Sequence, residues 1–131
     1  MKLFLKYYWP TVSWALFILL MCSINISDVS TSPLFFPGFD KLVHCGFFFV
    51  LVIFGCSGAI RQQFTPQVSY KLVIIIFALS IMYGGLIELL QVAVFTWRSG
   101  EWDDLFADAV GASMAAFSIM VTAKAISYVK K

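Results

Sequence analysis

Long apolar runs alternate with short polar intervals along the 131 residues, without the strict two-residue alternation of membrane strands. A helix needs about 20 mostly apolar residues to cross the hydrocarbon core of a bilayer. Four segments approach or exceed that length, over residues 9–26, 40–60, 70–96 and 103–128. Helices satisfy their backbone polar groups internally, which open strands in lipid cannot do. The pattern predicts an all-α, polytopic membrane protein, a single domain over residues 1–131 folded as a four-transmembrane-helix bundle. The first run resembles a signal peptide in position, but no small-residue cleavage site follows it. Met21 also stands where a lipoprotein processing site has a small residue. The run is therefore expected to remain as a span.

Composition strengthens the membrane reading. The chain is 61% hydrophobic and 12% charged, whereas a soluble domain carries roughly 25% charged residues. The net charge of +2 offers no basic field, so nucleic acid is excluded as a partner. Cys22, Cys45 and Cys56 have neither metal-ligand spacing nor a dense disulfide pattern and are expected to be small buried apolar side chains.

Charge sign changes the picture further. Lys2, Lys6, Arg61, Lys71, Lys124, Lys130 and Lys131 fall at one set of span ends, leaving Lys41 and Arg98 at the other. The excess of lysine and arginine in cytoplasmic loops then predicts that both termini are cytoplasmic. All seven carboxylates, Asp28, Asp40, Glu88, Glu101, Asp103, Asp104 and Asp108, fall on the opposite, extracytoplasmic half.

Helical spacing gathers these side chains, because residues three and four apart share a face. Asp40, Lys41 and His44 begin the second span, Glu88 and Gln91 lie in the third, and Asp104 and Asp108 in the fourth. Glu88 lies about 12 Å below Thr96 at about 1.5 Å per residue, the deepest of the group. A charge at the centre of a bilayer costs about 2.5–3.5 kcal/mol on insertion scales, which favours an orientation into the bundle interior. An outward-opening polar pocket is expected. Simpler roles compete: Asp40 and Asp103 as helix N-caps, Arg98 as an interfacial anchor, His44 as a core histidine and Glu88 as a helix-binding contact.

Three blocks in order, D-K-x-x-H at Asp40–His44, G-x-x-x-E-x-x-Q at Gly84–Gln91 and R-x5-D-x3-D-x2-G at Arg98–Gly111, resemble the VanZ-like membrane proteins. The resemblance covers about residues 40–115. The family usually has Asn where Asp108 stands. The resemblance implies a multi-pass protein of the bacterial inner membrane. It also implies a role in the cell envelope, the founding member being associated with resistance to the glycopeptide teicoplanin.

Three classes of function are open at this stage. An enzyme acting on a lipid-linked envelope precursor or glycolipid would use Lys41 and Arg98 to hold phosphate, with Asp40, Gln91 and Asp108 as further substrate contacts. His44 or Glu88 would act as general base and Asp104 would orient His44 or Arg98. A non-enzymatic binder would mask the same precursor, and the acid excess suits an amine-bearing ligand. A transporter is disfavoured because the inner halves of the spans carry almost no ionisable residues. His44, Glu88, Asp104 and Asp108 are chemically able to ligate a metal, but no H-E-x-x-H pattern is present, so no metal or cofactor is assigned. A bundle this small is also a candidate for self-association.

Overall fold

The computed structural model describes residues 2–24, 36, 38–63, 69–94 and 101–129, with side chains in the first helix described from Lys6 onward. The described residues form four helices, α1 (Lys2–Ser23), α2 (Phe39–Gln63), α3 (Tyr70–Ala93) and α4 (Trp102–Val129). By length and composition, α2, α3 and α4 can each cross a membrane. Of these, α3 has a mean hydropathy of 2.3 in its most apolar window, yet only 22% of that window is buried. So much apolar surface left uncovered by the protein fits contact with lipid rather than water.

Three of the four spans expected from the sequence coincide closely with helices. The first differs: α1 starts at Lys2 rather than residue 9 and ends at Ser23 rather than residue 26. Apolar length predicts only the stretch able to cross lipid, whereas the lysines and leucines among residues 2–6 are good helix formers and extend α1 before it. Pro10 lies inside α1 and removes one backbone donor from its ladder.

The start of α2 depends on Gly38, whose φ of +86° is unfavourable for other residues. Its carbonyl accepts from Leu42 N–H at 3.2 Å. At α4, the Glu101 carbonyl accepts from Asp104 N–H at 3.0 Å. These contacts set aside the competing role of Asp40 and Asp103 as N-caps. Each is the second residue of its helix, inside the first turn, where a carboxylate still suits the positive end of the helix dipole.

Packed against all three other helices, α2 is the central element. Its buried face runs through His44, Phe48, Val52, Cys56 and Ala59. Against it α4 presents Ala107, Gly111 and Ala115, small residues four apart that let the two backbones come close. A Cβ at Gly111 would collide with the Cys45 carbonyl, lying 2.7 Å from its carbon. On the other side, Trp14 of α1 donates through Nε1 to the Phe47 carbonyl at 2.9 Å and meets the Phe47 ring edge-on. Lipid solvates leucine as well as a neighbouring helix does, so close packing and such hydrogen bonds hold the helices together.

Candidate functional site

The contact between α2 and α4 places the polar residues. His44 is one turn before Phe48 on the buried face of α2 and is 4% exposed; Asp104 and Asp108, one turn apart on α4, are 3% and 1% exposed. His44 Nδ1 lies 3.0 Å from Asp108 Oδ1. An ionised carboxylate only accepts, so in that state Asp108 places the ring proton on Nδ1. The other ring nitrogen, Nε2, lies 3.7 Å from Asp104 Oδ2, outside hydrogen-bond distance. The ring is thus held by Asp108; Asp104, expected to orient His44 or Arg98, stands on its other side, and Arg98 lies outside the described residues.

Asp104 instead divides its two oxygens. Oδ1 accepts from Lys41 Nζ at 3.3 Å, while Oδ2 faces the imidazole. Lys41 also donates to Asp40 Oδ2 at 3.2 Å and Glu101 Oε2 at 3.1 Å. One ammonium therefore joins three carboxylates across the first turns of α2 and α4.

The third side comes from α3. Glu88 Oε2 accepts from the Glu101 backbone N–H at 2.8 Å. Its Oε1 is buried with no hydrogen-bond partner among the described residues. Gly84, one turn earlier, makes room for α4: a Cβ there would lie 2.7 Å from Asp108 Oδ2. Gln91 lies apart from this arrangement. It is 1% exposed and donates through Nε2 to the Cys22 carbonyl at 3.1 Å, tying α3 to α1.

Of the residues expected at a site, Asp40, Lys41, His44, Glu88, Asp104 and Asp108 converge at the end where α2 and α4 begin. Arg98, expected to hold phosphate, lies outside the described residues. Glu101 was counted among the acids but given no site role, although it caps α4, fixes Glu88 and pairs with Lys41. Its place three residues before Asp104 is the sequence signal, legible once α4 is known to start at Trp102.

Between α3 and α4 runs an open groove of about 720 Å³, walled by Leu79, Met82, Leu86, Leu89 and Leu105. Glu88 and Glu101 are its charged residues and Trp102 stands beside them. Glu88 thus belongs both to the polar cluster and to an apolar groove on the outside of the bundle. Comparison of the chain with family models, with curated proteins and with solved structures finds no match.

Proposed function

We propose that the chain is a VanZ-like integral membrane protein of the bacterial inner membrane, with four spans, cytoplasmic termini and an extracytoplasmic pocket for a lipid-linked envelope substrate. The observation that carries this reading is the continuity, through Glu88, between the apolar α3–α4 groove and the polar cluster. A lipid-linked molecule has the same two-part character, an apolar tail and a polar head. With the tail along Leu79, Met82 and Leu86, the head reaches Glu88 and Glu101 from within the membrane, without crossing the bundle. The three sequence blocks support the family, and the lysine and arginine bias supports the orientation. Teicoplanin resistance is one consequence such a role would have, because the glycopeptide target is a lipid-linked precursor on the same face.

Within the pocket, the Asp108–His44 pair has the form of an oriented general base, and Glu88 is a second candidate for proton transfer. Binding without turnover is favoured by a different feature. Among the described residues, Asp40, Glu88, Glu101, Asp104 and Asp108 gather around one lysine and one histidine, an excess of negative charge that attracts an amine-bearing head group.

Site-specific photocrosslinking in living cells tests the proposal. A photoreactive residue at Leu86, in the groove, is expected to capture a lipid-linked envelope precursor, whereas one at Leu16, exposed on α1, captures bulk phospholipid alone. Equal capture of the precursor at both positions, or at neither, would sink the proposal. A C-terminal reporter active only in the cytoplasm checks the orientation separately.

A further inference from the structure

We propose that His44 Nε2, Asp104 Oδ2 and a Glu88 carboxylate oxygen form a binding site for a divalent cation of the zinc or manganese class. It concerns the pocket just described and rests on its being one site, but not on which lipid enters it.

One ligand atom from each of these residues can be chosen so that all lie within 4.8 Å of one another. The three residues come from α2, α3 and α4, so the framework is set by helix packing rather than by a loop. Two ligands about 2.1 Å from one zinc sit roughly 3.4 Å apart in a tetrahedral shell. The 3.7 Å between Nε2 and Oδ2 is too long for a hydrogen bond and close to that ligand-to-ligand spacing.

The surroundings match the requirements of such a site. A histidine ligand commonly donates its second ring nitrogen to a carboxylate, which fixes the ring and directs the other nitrogen at the metal. Asp108 stands 3.0 Å from Nδ1 in that position. Glu88 Oε1 is buried without a hydrogen-bond partner among the described residues, an arrangement costly for an ionised carboxylate and relieved by a bound cation.

A second carboxylate group, Asp40, Glu101 and Asp104, is close enough together to be considered as well. Lys41 Nζ already sits against all three, at 3.2, 3.1 and 3.3 Å, and supplies their positive charge. The cation therefore belongs on the His44 side of Asp104. One nitrogen and two oxygens suit zinc or manganese better than the all-oxygen shells of calcium and magnesium. Three protein ligands leave a coordination position for water or for an oxygen of a head group. With the cation bound, His44 serves as a ligand and not as a general base, and through the open position a pocket rich in carboxylates becomes able to hold a phosphate.

The test uses the full chain purified in lipid nanodiscs, stripped with chelator, with no envelope lipid added. Zinc content after dialysis and the paramagnetic resonance signal of added Mn²⁺ are the readouts. The wild type is expected to hold about one ion per chain, with binding at least about tenfold weaker in His44→Gln, Glu88→Gln and Asp104→Asn. Asp108→Ala, which removes the ring's partner at Nδ1, is expected to weaken binding by about tenfold to a hundredfold, whereas Asp108→Asn keeps an acceptor there and should bind within about tenfold of the wild type. Asp40→Asn and Glu101→Gln should bind as the wild type does. Each variant is first matched to the wild type by elution volume and helical circular dichroism. Should either buried substitution fail that check, Glu88→Gln, at a half-buried position, decides. A wild type without stoichiometric zinc or manganese overturns the proposal, as does binding lost in Asp40→Asn and Glu101→Gln but kept in Glu88→Gln. Because no lipid is present, failure here leaves the crosslinking result standing, and the reverse also holds.

Discussion

Gly111→Ala adds one methyl group where α4 crosses α2, and its effect can be worked from the geometry. The new Cβ would lie 2.7 Å from the Cys45 carbonyl carbon and 2.9 Å from its Cα, against the 3.4 Å at which ordinary contact begins. Restoring the carbon contact alone moves the backbones 0.7 Å apart, the difference between those two distances, and the carbonyl oxygen demands more. Neither partner is the end of a flexible side chain, so the helices themselves must separate. His44 adjoins Cys45, and Asp108 lies one turn before Gly111. The same movement stretches the 3.0 Å His44–Asp108 contact past the range of a good hydrogen bond. Overpacking costs about 1–3 kcal/mol, and a hydrogen bond to a charged group contributes about 1.5–3 kcal/mol. A loss of about 2.5–6 kcal/mol follows from the two effects acting together. Unfolding by dodecyl sulfate in mixed micelles measures it. Gly46→Ala and Gly85→Ala are the controls: neither Cβ meets anything within 4 Å, and alanine favours the helix by roughly 0.5–1 kcal/mol. If Gly111→Ala were as stable as these controls, the close α2–α4 contact would be wrong, and the placement of His44 with it.

Other substitutions probe single side chains. Lys41→Met leaves Asp104, 4% exposed at its side chain, without its ammonium; because the Lys41 side chain is itself 35% exposed, the expected cost in the same unfolding assay is about 1–2 kcal/mol, and Lys41→Arg should restore most of the loss. Asp108→Asn keeps an acceptor for His44 and installs the residue usual in the VanZ-like proteins, so envelope function and glycopeptide sensitivity should stay near wild type. Glu88→Gln keeps an oxygen for the Glu101 N–H and should unfold within about 1 kcal/mol of wild type while abolishing function. Gln91→Leu removes the tie to the Cys22 carbonyl and should lower stability by about 1 kcal/mol without altering the pocket, a difference read by unfolding against crosslinking at Leu86.

The membrane-crossing lengths and the shared face of Asp104 and Asp108 were legible in the sequence because hydropathy and helical spacing are local. The convergence of Lys41, His44 and Glu88 with them was also expected, since a buried charge on one span needs partners on another. What local patterns do not carry is which atom meets which. Asp104 and Asp108 are equally able to orient a histidine by spacing, and only the depth of the α2–α4 crossing, set by Gly111 against Cys45, gives the ring to Asp108. Gln91 looked like part of the pocket because it follows Glu88 by three residues. The position of α1, invisible in that spacing, turns it toward Cys22. Glu101 was overlooked because its role is partly a backbone one: its carbonyl starts α4 and its N–H holds Glu88.

The claim that matters most is that this pocket handles a lipid-linked envelope molecule through Glu88. Mass spectrometry of envelope lipids compares cells carrying the wild-type protein, Glu88→Gln at equal membrane abundance, and no protein. A lipid-linked species whose level changes only with the wild type is the expected result, and its mass would give the substrate. An identical lipid inventory in all three strains, with no precursor captured at Leu86, would contradict the claim and leave the cluster as a device that holds α2, α3 and α4 together.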